Sequence, residues 1–302
     1  MAEQLEPLFG SNVDPSAGDP QRPFHWATVA ERDGLDLITL QDHPYNARFF
    51  DTWTLLTALA MRTERIHLGT NVANLPLRPP AMLARQAATL DRLSRGRLEV
   101  GLGAGAFWEG IRAWGGPARE PAEAYRAFAE ALQILRLLWS DRRSVTFQGE
   151  FYQLRGAHPG PSPAHPIRVW VGGYGPRMLR LAGREADGVL LSTGYVPPDE
   201  LPAKMAAIDE GAAQADRPPT AIRRGYNLMG VILLDRPETP RIEARPGLLV
   251  GPPAYWVDEI ERYYRDLRQD TFIVWPVAGD EVLQVQAFAN EVVPAIRERI
   301  GS

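Results

Sequence analysis

The stretch Arg65-Ile-His-Leu-Gly-Thr-Asn-Val-Ala-Asn74 carries the pattern that decides the fold. Its first residues are mostly apolar, and this apolar run ends at Gly69, which is typical of a buried strand. Polar residues follow, and a helical pattern starts only after Pro80. A strand, a polar turn at its carboxyl end and then a helix form the repeating unit of an α/β protein. Ligands bind beyond the carboxyl ends of such strands, so we expect Asn71 and Val72 on the floor of a site.

The same unit recurs along the chain. Eight strand patterns, separated by helical patterns, lie at residues 7–13, 35–40, 65–70, 97–102, 167–171, 188–192, 226–234 and 271–276. Eight strands in one chain of 302 residues predict an α/β fold of the (β/α)8 TIM barrel type, formed by a single domain over 1–302. The alternative is a doubly wound open sheet, which would require a reversal of the strand order.

Two stretches depart from this repeat. Residues 141–165 include a predicted β-hairpin around Gln148-Gly149, and we interpret them as a small insertion before the next barrel strand. Residues 235–250 are rich in proline and arginine and have no periodicity, which predicts a long loop after the seventh strand. This loop is either a lid over the barrel mouth or a solvated surface loop.

Composition excludes several classes of function. The formal net charge of −4 gives no indication of a nucleic-acid or anionic-membrane partner, and no uncharged apolar run reaches the ~18 residues of a membrane span. The absence of cysteine excludes thiol catalysis, disulfides and cysteine-ligated metals. Neither the histidines nor the carboxylates have the spacing of metal ligands, so we expect no metal site. Residues 1–6 are acidic and lack an apolar signal core, which predicts a cytoplasmic location.

Asp42-His43 directly follows the second strand, where a barrel places its active site. A neutral imidazole can accept or donate a proton near neutral pH, and an adjacent carboxylate could orient it. Adjacent residues of an extended chain point in opposite directions, however, so Asp42 could instead cap the next loop while His43 packs. His67 is predicted to lie in the middle of the third strand, as a core or inter-strand residue.

Gly172-Gly173-Tyr174-Gly175 lies between the fifth strand and the start of a helix. Glycine permits close approach of the backbone, and the free N–H groups of a first helical turn attract anions. The segment therefore predicts a phosphate-binding loop, although a merely tight turn has the same composition. It matches neither a P-loop nor a dinucleotide-binding fingerprint.

Gly101-x-Gly103-x-Gly105 ends the fourth strand and is a second glycine-rich turn. We interpret Gly103 and Gly105 as leaving room for a flat ligand. Trp108, Trp114 and Trp275 could form the walls of that space, and the alternative is that they are core residues.

Several of these segments together resemble the bacterial-luciferase-like superfamily. The resemblance extends over about residues 20–195 and is carried, after Asp42-His43, by Leu68-Gly-Thr-Asn-Val72, Arg85-Gln86-x-Ala88-Thr-Leu-Asp91-Arg-Leu-Ser94-x-Gly-Arg97, Gly101-Leu-Gly-Ala-Gly105, Val171-Gly-Gly-Tyr-Gly175 and Ala182-Gly-Arg-x-Ala-Asp-Gly188. The segment Ala88-x-Leu-Asp-Arg-Leu-Ser-x-Gly-Arg97 is its most specific part.

The resemblance implies a barrel that binds either FMN or the deazaflavin coenzyme F-420 at its carboxyl-terminal mouth. It implies a non-prolyl cis peptide at Asn71-Val72, a bulge that supports the flavin ring. It also places the functional histidine at His43 and the cofactor phosphate at Gly172 to Gly175. The chemistry would be hydride transfer to, or monooxygenation of, a small organic substrate.

Family members differ in substrate and partner. The sugar-phosphate dehydrogenases carry a glutamate after the Gly-x-Gly turn, where this chain has Ala106, so the resemblance favours another substrate. It implies a homo-oligomer such as a dimer and, for a monooxygenase, a separate flavin reductase as partner. The alternative function is a non-catalytic flavin-binding or storage protein on the same barrel.

Overall fold

A computed structural model describes residues 5–234 and 247–301 of the chain. The strands within these residues are β1 (Leu8–Val13), β2 (Leu37–Leu40), β3 (His67–Thr70), β4 (Ala73–Asn74), β5 (Leu98–Gly103), β6 (Val145–Gln148), β7 (Gln153–Ala157), β8 (Val169–Gly172), β9 (Gly188–Ser192), β10 (Arg223–Ile232), β11 (Leu249–Gly251) and β12 (Thr271–Pro276).

Helices connect the strands in the same chain order. They are α1 (Arg22–Arg32), α2 (Thr52–Ala60), α3 (Pro80–Leu93), α4 (Trp108–Ala113), α5 (Pro121–Leu138), α6 (Pro176–Glu185), α7 (Leu201–Gln214), α8 (Pro253–Arg265), α9 (Glu281–Ala287) and α10 (Val293–Gly301).

Eight parallel strands close into a barrel in the order β1, β2, β3, β5, β8, β9, β10 and β12. The closure is visible in the pairing, because β12 pairs with β1 as well as with β10, and β10 pairs with β9. The predicted (β/α)8 TIM barrel is therefore confirmed, and the open-sheet alternative is wrong. The last helical region consists of α9 and α10 joined by a π-helical turn at Phe288–Val292, just before Pro294 removes a backbone donor.

The barrel strands are buried on both faces, because helices cover the outside and side chains fill the inside. All six residues of β5 are buried, for example. Inside the barrel, the buried side chains of Leu37, Trp170, Leu190 and Ile273 form an apolar cluster from four different strands. Alternate residues of a strand share a face, so the next inward-facing residues lie one layer closer to the mouth.

The predicted insertion contains the antiparallel hairpin β6–β7, which pairs apart from the barrel sheet. The predicted loop over 235–250 lies mostly outside the described residues. The part that is described includes β11, which pairs with β10 at the edge of the barrel.

The most specific family segment lies at the amino-terminal end of the barrel. Asp91, at the end of α3, is fully buried and accepts hydrogen bonds from the backbone N–H groups of Ala164 and His165. The Arg97 guanidinium donates to the carbonyl oxygens of Ala60 and Ile66, among others. This segment fastens α3 and the start of β5 to their neighbours, so its role is structural.

The prediction of a core position in the middle of the strand is wrong for His67. The third strand begins at His67 rather than at residue 65, so this side chain lies at the amino-terminal rim and is 46% exposed. Its ring lies near Glu99, with 3.9 Å between Nδ1 and Oε1.

None of the helices in residues 5–234 and 247–301 combines the length and apolar character that crossing a bilayer requires. The same residues contain no group of three or more histidine, aspartate or glutamate side chains placed to hold a metal ion.

Candidate active site

A polar layer crosses the barrel just inside the mouth. Asn71 follows β3, and its amide donates to Asn227 on β10 (2.6 Å) and to Thr39 on β2 (3.3 Å). Thr39 in turn donates to Asn12 on β1 (2.9 Å). Because β3 and β10 are not neighbours in the sheet, the Asn71–Asn227 hydrogen bond spans the barrel interior. Asn71 therefore anchors the residues after β3 to the barrel.

Val72, the next residue, fills the space between two strand ends. A Cβ atom added to Gly103 at the end of β5 would lie 2.7 Å from Val72 Cγ2, and one added to Gly172 at the end of β8 would lie 2.8 Å from Val72 Cγ1. Both glycines are thus required to admit the valine. The Asn71-Val72 peptide bond is cis, as the family resemblance predicts. Val72 forms part of the floor of the mouth, and Gly103 and Gly172 shape that floor.

His43 follows β2 at the same end of the barrel and is half-buried. Its Nδ1 lies 2.8 Å from the Tyr45 hydroxyl, and its ring also packs near Phe49, with 6.4 Å between ring centroids. The Nε2 atom has no hydrogen bond within the described residues and is not enclosed. Burial lowers the pKa of His43, and the charge of Asp42 opposes that shift. A neutral imidazole with an accessible Nε2 is suited to proton exchange with a substrate oxygen.

Asp42 does not contact the His43 ring. Its carboxylate is buried and accepts hydrogen bonds from the Asn74 backbone N–H (2.9 Å) and from the Arg78 guanidinium (2.9 and 3.2 Å). Arg78 also binds Asp51, the N-cap of α2. The adjacent pair is therefore not a hydrogen-bonded dyad. Asp42 holds the residues after β3 against those after β2, and any direct chemical role for it remains a prediction.

The predicted phosphate loop leads into α6. Gly175 is the N-cap and Pro176 the first helical residue, so the N–H groups of Arg177 and Met178 have no partner within the helix. A Cβ atom on Gly175 would meet nothing within 4 Å, whereas one on Gly173 would lie 2.8 Å from Met178 Cγ. The open side of this loop is thus at Gly175, with the exposed Arg177 beside it.

The β5–α4 loop differs from the expectation for the tryptophans. Gly105 has φ +98°, a conformation that favours glycine, and a Cβ atom there would lie 2.9 Å from Trp108 and 2.7 Å from Pro76. Gly105 thus makes room for protein atoms. Trp114 is 60% exposed at the end of α4, and Trp275 is half-buried near the end of β12.

Further aromatic residues follow the strands at the mouth, and of these the sequence patterns had singled out only Tyr174, as part of the phosphate loop. Tyr174 after β8 and Tyr195 after β9 are stacked with 5.5 Å between centroids. Phe107 after β5 meets Tyr45 edge-on at 5.2 Å and is 51% exposed. For Tyr195 and Phe107, the only signal in the sequence is their position just beyond a strand. Exposed aromatic faces at a barrel mouth are suited to a flat ligand.

A flavin or deazaflavin ring carries both apolar faces and hydrogen-bonding edges. Besides the aromatic residues, two polar atoms of the mouth, Asn12 Nδ2 and Ser192 Oγ, are buried and have no hydrogen-bond partner. Buried polar atoms without partners point to a ligand or ordered water. The residues present therefore fit a ring on the floor of the mouth and a phosphate at the α6 N-terminus.

Comparisons with known proteins agree with this geometry. The luciferase-like monooxygenase family model matches residues 8–271. The F-420-dependent glucose-6-phosphate dehydrogenase of Intrasporangium calvum is 29% identical, over 89% of this chain and 92% of that protein. A second such enzyme, from Rhodococcus jostii, is 33% identical over 74% of this chain and 67% of its own.

Solved structures share the fold at lower identity. The coenzyme F-420-dependent tetrahydromethanopterin reductase of Methanopyrus kandleri has a TM-score of 0.85 at 22% identity, covering 97% of this chain and all of that one. A long-chain alkane monooxygenase has a TM-score of 0.82 at 14% identity, covering 98% and 92%. The family model accounts for the barrel from β1 to the first residue of β12. The chain belongs to the luciferase-like monooxygenase family.

Proposed function

We propose that this protein is an oxidoreductase that binds coenzyme F-420 at the barrel mouth and exchanges a hydride between it and a small organic substrate. The observation that carries the proposal is His43, a half-buried histidine whose Nε2 is accessible at the same end of the barrel as Val72. Two relatives that are named F-420-dependent support the choice of cofactor. The bound deazaflavin would supply the hydride chemistry, and the chain would position it and exclude water.

Each part of the mouth has a separate task in this proposal. Val72 and Asn71 support the ring, and the loop ending at Gly175 holds the phosphate through the free N–H groups of α6. His43 exchanges a proton at Nε2 with the substrate oxygen. Asp42 keeps the β2 and β3 loops in register through Asn74 and Arg78.

We expect a substrate without a sugar phosphate. Ala106 is exposed on the β5–α4 loop and offers no charge, and its neighbour Phe107 presents an aromatic face. These residues favour a substrate with an apolar surface. Turnover of simple secondary alcohols without turnover of glucose 6-phosphate would agree with this expectation, and the reverse preference would contradict it.

Titration of the purified protein with F-420 and, separately, with FMN tests the cofactor. We expect saturable F-420 binding that is at least about tenfold tighter than FMN binding, a difference of ~1.4 kcal/mol. Preferred binding of FMN would favour the monooxygenase chemistry, with a flavin reductase as partner. Binding of F-420 without hydride exchange to any acceptor would favour the storage-protein alternative.

A single substitution tests where the phosphate lies. Gly175→Val places a side chain in open space at the N-cap, so it should weaken F-420 binding by about 1–3 kcal/mol while the thermal midpoint stays the same. Gly301→Val is a matched control, because Gly301 is the other described glycine with an ordinary φ and nothing within 4 Å of a Cβ. Unchanged affinity in Gly175→Val would show that this loop is only a turn.

A further inference from the structure

We propose that Tyr45 is a positioning residue that fixes the tautomer of His43, so that Nε2 carries the hydrogen and donates a hydrogen bond to a substrate oxygen. The inference rests on the proposed function of His43. It also narrows the substrate class, since the natural acceptor of such a hydrogen bond is a carbonyl oxygen or the alkoxide formed from it.

A hydrogen bond and aromatic packing hold the rings of His43 and Tyr45. The Tyr45 hydroxyl lies 2.8 Å from His43 Nδ1, and the rings are tilted by 46° with centroids 5.5 Å apart. Phe107 meets Tyr45 edge-on, and Phe49 packs near the His43 ring. This packing leaves Nδ1 facing the hydroxyl, so Nε2 is the nitrogen available to a ligand.

The protonation states favour donation from the tyrosine. Burial and the negative charge of Asp42 raise the pKa of Tyr45, so its hydroxyl keeps its proton. Burial lowers the pKa of His43, so the imidazole is neutral near pH 7. A neutral imidazole has one acceptor nitrogen and one donor nitrogen, and the partner of one nitrogen sets the state of the other.

Asn74 gives the hydrogen bond its direction. Its backbone N–H donates to Asp42 Oδ2 at 2.9 Å, and its side chain lowers the pKa of Tyr45, which is the effect of a donor near the hydroxyl oxygen. Asn74 Oδ1 has no hydrogen-bond partner, so the amide NH₂ is the group that approaches the hydroxyl oxygen. The hydroxyl hydrogen is then free to point at His43 Nδ1, which leaves the hydrogen of the neutral imidazole on Nε2.

This chain of contacts also explains the position of Asp42. The carboxylate acts on His43 through Asn74 and Tyr45, whereas a carboxylate in direct contact with Nδ1 would place the hydrogen there and would favour the imidazolium. A hydroxyl partner keeps the ring neutral and leaves Nε2–H as a donor at the mouth.

Nitrogen-15 NMR of the histidine rings tests the inference without any substrate. The protein has five histidines, and His43→Asn identifies the signals of His43. At neutral pH, we expect an unprotonated Nδ1 and a protonated Nε2 in the wild type, and a mixture of both tautomers in Tyr45→Phe. A protonated Nδ1 in the wild type, or the same single tautomer in Tyr45→Phe, would overturn the proposal.

Tyr152→Phe is the matched control, because it removes a hydroxyl of the insertion whose hydrogen-bond partner is Arg119, whereas the ring contacts of His43 are with Tyr45 and Phe49. It should leave the His43 signals unchanged. Retained thermal midpoints in both variants would separate a change of tautomer from a loss of folding.

Kinetics with reduced F-420 and cyclohexanone, as a carbonyl probe, give the second measurement. Tyr45→Phe should lower kcat about tenfold and leave the affinity for F-420 within about twofold, as expected when one hydrogen bond that orients a reacting group is lost. A kcat equal to that of the wild type would overturn the proposed role. Absence of turnover in the wild type would contradict the proposed function, and the NMR result would still decide the tautomer.

Discussion

Two histidines with hydrogen-bonded partners stand at opposite ends of this barrel. At the mouth, His43 Nδ1 meets the hydroxyl of Tyr45, and Nε2 is accessible. Near the amino-terminal end, His165 Nδ1 lies 2.7 Å from Asp91, and its Nε2 is buried without a partner. The first arrangement leaves a nitrogen available to a ligand, and the second buries that nitrogen.

The hydrogen-bond partners of the two histidines also differ. Asp91 accepts hydrogen bonds from the backbone N–H groups of Ala164 and His165. It thereby fixes the loop before β8 to the end of α3. Tyr45 can donate or accept a hydrogen bond and is itself held by aromatic packing. The difference follows the general division of such barrels, in which the amino-terminal end supports stability and the carboxyl-terminal end carries function.

The largest expected effect separates the two histidines directly. His43→Asn should lower kcat about 100- to 10,000-fold, the usual contribution of general acid–base catalysis, and should leave cofactor binding unchanged. His165→Asn is the matched control and should retain kcat per folded molecule. Steady-state rates combined with F-420 titration measure both quantities. Full activity in His43→Asn would mean that this residue only packs at the mouth.

The second largest effect is expected on the free energy of unfolding, for a substitution near the amino-terminal end of the barrel. Asp91→Asn should lower the free energy of unfolding by about 3 kcal/mol, because a buried carboxylate loses charge-assisted hydrogen bonds. The kcat of the folded fraction should stay within about twofold of the wild type. Urea unfolding gives the free energy. Asp258→Asn, which removes an exposed partner of Arg299, should have a much smaller effect. A change in Asp91→Asn no larger than in Asp258→Asn would refute the structural role.

A smaller effect on stability is expected for substitution of Asp42, which supports the fold and also helps to position residues of the site. Asp42→Asn should lower the free energy of unfolding by about 1–2 kcal/mol, because Arg78 and the Asn74 N–H lose a charged acceptor. It should also lower kcat by about tenfold, because Asn74 and Tyr45 are less well placed. A loss of kcat as large as that of His43→Asn would show that Asp42 takes part in the chemistry itself.

The smallest expected effect is on the pH dependence of stability. Burial lowers the pKa of His43 below its ordinary value of 6.5, so the unfolded chain binds this proton more readily than the folded chain. The resulting stability is complete above pH 6.5 and is lost as the pH falls through the folded pKa. The pKa of His67 is also lowered, mainly by burial, and contributes with the same sign.

His43→Asn should therefore show a shallower loss of stability as the pH falls below 6.5 than the wild type, with part of the slope retained through His67. Urea unfolding over a pH series measures the slopes. Equal slopes in the two proteins would indicate that the pKa of His43 is the same in the folded and unfolded chain.

Local patterns predicted much of this arrangement. The eight strand patterns and their order gave the barrel, because burial on both faces and turn residues at strand ends are local properties. Asp42-His43 and Gly172 to Gly175 could be placed at the mouth for the same reason. The family segment around Asp91 was recognisable, but its position at the amino-terminal end and its structural role were not.

The sequence by itself determined which residues follow each strand, and hence which side chains meet at the mouth. Only the tertiary structure decided what each of them contacts. Asn71 pairs with Asn227 across the barrel, Val72 occupies the space left by Gly103 and Gly172, and His43 is oriented by Tyr45 rather than by Asp42. Periodicity is set by neighbours in the chain, whereas a side chain's partners are set by the closure of strands that are distant in sequence.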